Sequence, residues 1–247
     1  MTTPPNTPPT APNPDDSNAK KETETIKPLH NLHRWGTLLE ALLKHPLSLA
    51  DHISTQHGHR RIVLSALGLT SVCLLLYGLV IGTFALGTQL WATPLKLLCG
   101  TLLSALICLP SLYIFTCLTG TQARAEQLFT GFLAALALVG ILLVGFAPII
   151  WVFSQSTDSL GFMGVLIVAS WVISLGFAHG FLKKLLRRAG ARSLQSLTLW
   201  SAIFLLVTLQ MSTTLRPLIG QSPELLAQEK RFFITHWVET AGTFLTR

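Results

Sequence analysis

The chain has 247 residues, half of them hydrophobic, with 12% charged residues and a formal net charge of +7. Soluble domains carry about 25% charged residues. That deficit excludes an ordinary soluble domain for most of the chain and leaves a polytopic, all-α membrane helical bundle.

Residues 1–28 hold seven of the thirteen prolines, separated by Thr, Asn, Asp, Lys and Glu. Nothing there buries enough apolar area to offset chain entropy, so the segment reads as a disordered, cytoplasmic, Pro-rich tail. It lacks the basic opening and apolar core of a secretory signal. The first span is therefore expected to act as an uncleaved insertion signal.

Residues 29–59 form an amphipathic juxtamembrane segment. At 100° per residue, Leu32, Trp35, Leu38, Leu39, Leu42 and Leu43 fall within an arc of about 140°. Pro46 is expected to end that helix. Two readings stay open: a helix lying in the headgroup layer, or one packed on the bundle. His30, His33, His52, His57 and His59 cluster around it. Without cysteine or carboxylate partners they read as a cationic patch that gains charge at low pH, ahead of a zinc site.

Five transmembrane helices are expected over residues 60–216. Their apolar runs are Ile62–Leu86, Leu97–Leu118, Leu128–Phe153, Leu160–Phe181 and Leu197–Leu215. Pro110 and Pro148 interrupt the second and third and are candidate kinks. Gly78-x-x-x-Gly82 and Gly176-x-x-x-Gly180 are candidate close-packing faces inside the bundle or at a self-association surface. Ser170 and Ser174 extend the second pattern. Residues 217–247 are expected to form a C-terminal interfacial helix, with Ser222 as N-cap and Pro223 at its first position.

Thirteen of the eighteen lysines and arginines fall before the first span, between the second and third, and between the fourth and fifth. This places the N-terminus in the cytoplasm and the C-terminus outside, in the inner membrane. The positive charge reads as topology and attraction to anionic lipids at the cytoplasmic face, not as nucleic-acid binding.

Chemistry-bearing constellations are sparse. No Asp or Glu sits mid-span, and His179 reads as an interfacial histidine. No nucleophile elbow, zinc-protease motif or phosphate-binding loop occurs. Cys73, Cys99, Cys108 and Cys117 lack metal spacing and read as small apolar residues. No cofactor is implied. The expected function is a non-enzymatic membrane scaffold or accessory subunit, partnered by lipid and by another membrane protein or a second copy. The alternative is a small-solute or lipid transporter or channel subunit, with Pro110, Pro148, Gln210 and Arg216 along its path.

The stretch from Gln210 to Pro223 holds Gln210, Leu215, Arg216, Pro217, Ile219 and Gly220. It resembles a motif of uncharacterised bacterial multi-span proteins, in which Gln and Leu-Arg-Pro-x-Ile-Gly follow the last span. Thr213 and Leu218 stand where that group has Trp and Phe. The resemblance implies no activity. A more distant resemblance, in topology alone, is to the YIP (Ypt-interacting) superfamily. It would imply small-GTPase partners and membrane shaping.

Overall fold

The computed structural model describes residues 35–55, 59–83, 89–121, 123–157, 160–191 and 193–214. They form seven helices: α1 (Trp35–Lys44), α2 (Pro46–Thr55), α3 (His59–Gly82), α4 (Gln89–Leu118), α5 (Ala125–Ser156), α6 (Leu160–Arg188) and α7 (Gln195–Thr214). No strand occurs among the described residues.

Four helices, α3 to α6, are long and apolar enough to cross a membrane, by length and composition. α7 is apolar over the shorter stretch Gln195–Met211. At about 1.5 Å per residue, α5 with its 32 residues exceeds a hydrocarbon core of about 30 Å.

α5 is the centre. Every residue from Thr130 to Gly140 is buried, three turns enclosed on all sides. Ala134, Ala135 and Ala137 keep it slim, which lets α3 and α6 pack along it. α4 packs on α3 and α7, and barely touches α5 despite directly preceding it in sequence. Five helices thus alternate in direction. One end collects the start of α3, the α4–α5 turn and the α6–α7 turn.

Three boundaries differ from the sequence reading. α4 begins at Gln89, eight residues ahead of Leu97, so Lys96 lies in a helix rather than in a loop. Its early turns hold Thr93 and Pro94, polar or helix-breaking in water, yet both are buried against neighbours. α6 runs on through Lys183, Lys184 and Arg187 to Arg188. Their apolar stems can cover helix surface while the charges reach water. Pro46 does not simply stop a helix. It occupies the first position of α2, where its missing N–H costs nothing.

Several buried hydroxyls bond to the carbonyl a turn back in their own helix, while those of Thr93 and Ser174 are buried without a partner. Thr70 donates to the Ala66 carbonyl at 2.7 Å, Ser104 to Gly100 at 2.8 Å and Thr208 to Phe204 at 2.8 Å. Exposed Trp91 and Trp151 lie toward the end opposite the cations, where amphipathic rings suit a headgroup boundary.

Candidate functional site

Among the described lysines and arginines, only Lys96 lies away from the end that joins α1, α2 and the two turns. There the α1–α2 hairpin is seated by apolar contacts. Leu38, Ala41 and Leu42 of α1 and Leu49, Ala50 and Ile53 of α2 are buried. α1 rests on α3 and α5, and α2 on α6. The apolar arc of α1 is split, because Leu39 and Leu43 remain 37% and 49% exposed. The hairpin therefore packs on the bundle and still offers apolar side chains to its surroundings.

Polar tethers fix its position. Arg188 at the end of α6 reaches Asp51 of α2 at 3.1 Å, both about one-third exposed. Partial exposure keeps such a pair to about 1 kcal/mol or less. Gln127 works in two directions. Its Oε1 accepts from the Arg124 backbone N–H at 3.0 Å, capping α5, and its Nε2 donates to the Ser54 carbonyl at 2.7 Å. Thr121 of the α4–α5 turn donates to the Ala189 carbonyl at 2.9 Å, joining the two turns. Gly120 and Gly190, with φ of 72° and 84°, end α4 and α6 in the left-handed conformation that glycine adopts without strain.

Arg60, Arg61, Arg124, Lys184 and Arg187 are exposed on this end. Each cation near an anionic bilayer surface contributes about 1 kcal/mol of attraction, reduced by salt.

Nearby, His179 of α6 faces α7. Its Nδ1 lies 2.7 Å from Ser201 Oγ and its Nε2 lies 3.4 Å from Thr198 Oγ1. A nucleophile and base within reach invite a hydrolytic reading. Acyl transfer also needs free donors for the developing oxyanion. The backbone N–H groups around both residues lie inside α6 and α7 and bond along those helices. The pair is accordingly an interhelical hydrogen bond that holds α6 to α7.

Two interhelical bonds lie deeper. Ser170 donates to the Ile167 carbonyl at 2.7 Å, so the Tyr77 hydroxyl donates to Ser170 Oγ at 2.6 Å, tying α3 to α6. Trp200 Nε1 donates to Ser111 Oγ at 3.0 Å and to the Cys108 carbonyl at 3.2 Å, tying α7 to α4. Its ring stacks on Phe204, with centroids 5.4 Å apart, and meets the edge of Phe132 at 5.5 Å. The sequence reading passed over Tyr77 and Trp200. Polar-tipped aromatics inside apolar runs were the available signal.

The sequence-predicted residues are dispersed. Gly78 lies at a close helix approach, where an added Cβ would come 2.5 Å from Pro94 Cα. Gly82 is buried one turn on. Gly176 and Gly180 face open space instead. Ser170 and Ser174 do not share their face: six residues separate each serine from its glycine, about 120° around the helix. The serines turn inward and the glycines outward. Pro110 and Pro148 are on the exposed sides of α4 and α5 and do not meet across a common cavity. Gln210 is half-buried in α7, while Leu215, Arg216, Pro217 and Gly220 lie outside the described residues, as does the expected C-terminal helix. Cys73 and Cys108 are buried, Cys99 and Cys117 exposed, and all four are free thiols. Among the described residues no three His, Cys, Asp or Glu side chains gather as a metal site.

Compared with protein-family models, curated proteins and solved structures, the chain matches none.

Proposed function

We propose that the chain is a non-enzymatic integral membrane protein of the inner membrane that acts as a scaffold or accessory subunit. α7 is its fifth span, the N-terminus is cytoplasmic and the C-terminus outside. The observation that carries the reading is the seated α1–α2 hairpin, which leaves Leu39 and Leu43 exposed beside five exposed cations. Apolar side chains next to basic ones suit the boundary of an anionic leaflet. That Pro110 and Pro148 line no shared cavity supports a scaffold over a transport path. The open Gly176–Gly180 face of α6 is available to a second membrane helix.

The test uses the full chain in liposomes, with an environment-sensitive fluorophore on Leu43→Cys in a background lacking the four native cysteines. Brominated anionic lipid should quench it more strongly than brominated zwitterionic lipid. Equal quenching, or a fluorophore fully open to water, refutes the surface reading. Solute or ion flux above that of protein-free liposomes refutes the scaffold reading. An impermeant thiol label should reach a cysteine added after Arg247 from outside, and should not reach one in residues 1–28.

A further inference from the structure

Between α4 and α5 the surface opens into a groove of about 480 Å³. Leu109, Pro110 and Tyr113 of α4 and Ala125, Leu128 and Phe129 of α5 line it. Its origin is visible in the packing. α4 and α5 are held apart, because Trp200 of α7 bonds to α4 while its ring packs against Phe132 of α5. Pro110 also lacks the N–H that would continue the α4 ladder, which loosens that helix beside the groove.

The volume lies within the roughly 300–1,000 Å³ of small-molecule sites. No charged side chain lines it. Tyr113 and Phe129 are partly exposed at its rim, so it opens sideways to the lipid-facing surface. Its depth is set by the helices. Leu109 is nine residues from the end of α4 at Leu118, about 13 Å at 1.5 Å per residue. Ala125 is the first residue of α5. The groove therefore belongs to the leaflet at the basic end. Arg124, exposed and adjacent in sequence to Ala125, stands at that upper rim. Arg187 is in the last helical turn of α6, just before the neighbouring loop that the Thr121–Ala189 bond holds against this one. Glu126 is exposed but off the lining stripe of Ala125, Leu128 and Phe129, and Gln127 is turned to α2. α7 ends at Thr214, away from the end of the bundle that holds the groove.

We propose that this groove holds one acyl chain of an anionic glycerophospholipid, with the lipid phosphate at Arg124. An apolar slot open to the bilayer takes a chain, and a cation at headgroup height favours a head of net negative charge over a zwitterionic one, whose own ammonium offsets its phosphate. The proposal rests on the reading that the basic end faces an anionic leaflet. It goes beyond that reading by naming one site and one lipid class.

The experiment uses the purified full chain and native mass spectrometry with phosphatidylglycerol and phosphatidylcholine of identical chains. Phosphatidylglycerol should bind about fivefold more tightly, the factor one interfacial arginine supplies. Arg124→Gln should bring the two lipids level. Ala125→Phe, at an exposed helix start, should fill the slot and weaken both by several-fold, with an unchanged helical spectrum and elution volume. Wild-type binding by Ala125→Phe, or an unchanged lipid ratio in Arg124→Gln, overturns the site. A photo-crosslinking phenylalanine analogue at Tyr113 in native membranes should yield a phospholipid adduct. An adduct to a second copy of the chain overturns the lipid assignment. If fluorophore quenching at position 43 still prefers anionic lipid while the groove variants bind normally, the groove fails and the surface reading stands. The reverse result separates them the other way.

Discussion

Gly78→Ala tests whether the α3–α4 contact is as tight as its geometry states. The added Cβ would sit 2.5 Å from Pro94 Cα, against at least 3.4 Å for an ordinary contact. The helices must part by about 0.9 Å, since the obstacle is backbone and cannot rotate away. Overpacking of this kind costs about 1–3 kcal/mol. The gain in helix propensity from Gly to Ala offsets about 0.5–1 kcal/mol of that. The expected net loss is on the order of 1–2 kcal/mol. Two glycines serve as internal controls. At Gly140 the nearest atom is Cys73 Cβ at 3.0 Å, a milder crowding than at Gly78, so Gly140→Ala should fall between Gly78→Ala and Gly176→Ala. At Gly176 nothing lies within 4 Å, so Gly176→Ala should be neutral or stabilising. Unfolding in detergent micelles, followed by loss of helical circular dichroism, gives the three values side by side. A Gly78→Ala protein as stable as Gly176→Ala would refute the close approach and the packing order built on it.

Trp200→Phe keeps a ring against Phe132 and Phe204 but removes the donor shared by Ser111 and Cys108, and should cost about 1 kcal/mol in the same assay. Trp200→Ala should cost about 3–5 kcal/mol, because the aromatic cluster loses its largest member. A double-mutant cycle on Tyr77→Phe and Ser170→Ala should give a coupling of about 0.6 kcal/mol and no more than about 1.7; a zero coupling would remove that bond from the account. Asp51→Asn should speed hydrogen exchange in α1 and α2 while leaving α5 unchanged, and exchanging the charges with Asp51→Arg and Arg188→Asp should restore protection. High salt should shrink the Asp51→Asn effect, as befits a one-third-exposed pair.

Much of the fold is written in hydropathy. The long apolar runs of α3, α5 and α6 and the charge clustered between them were legible because lipid tolerates little else. The start of α4 was not legible: Gln89, Thr93, Pro94 and Lys96 look unfavourable one by one, yet Thr93 and Pro94 are buried, with Pro94 against Gly78 of α3. Pro46 ends one helix as expected, but the same residue also begins another, which its pattern in the sequence does not mark. The glycine pairs looked alike as patterns, yet only Gly78 meets a neighbour's backbone. Helix periodicity gives the face of a residue but not what stands opposite it. The tethers from Asp51 to Arg188 and from Gln127 to Ser54 join segments far apart in sequence, and no local pattern marks them.

Those tethers order events during synthesis. Asp51 and its partner Arg188 are 137 residues apart, and Ser54 and Gln127 are 73 apart. At about 5–20 residues per second, the hairpin leaves the ribosome roughly 7–27 s before the last part of its seat exists. The first of the described helices to be made are thus among the last to dock. In the interval, Leu38, Leu42, Leu49 and Ile53 need cover from the membrane surface or a chaperone. A chain truncated after Ser156 should keep its hairpin open to protease, and one extended through Arg188 should close it; equal protection of both would show that the seat is complete without α6.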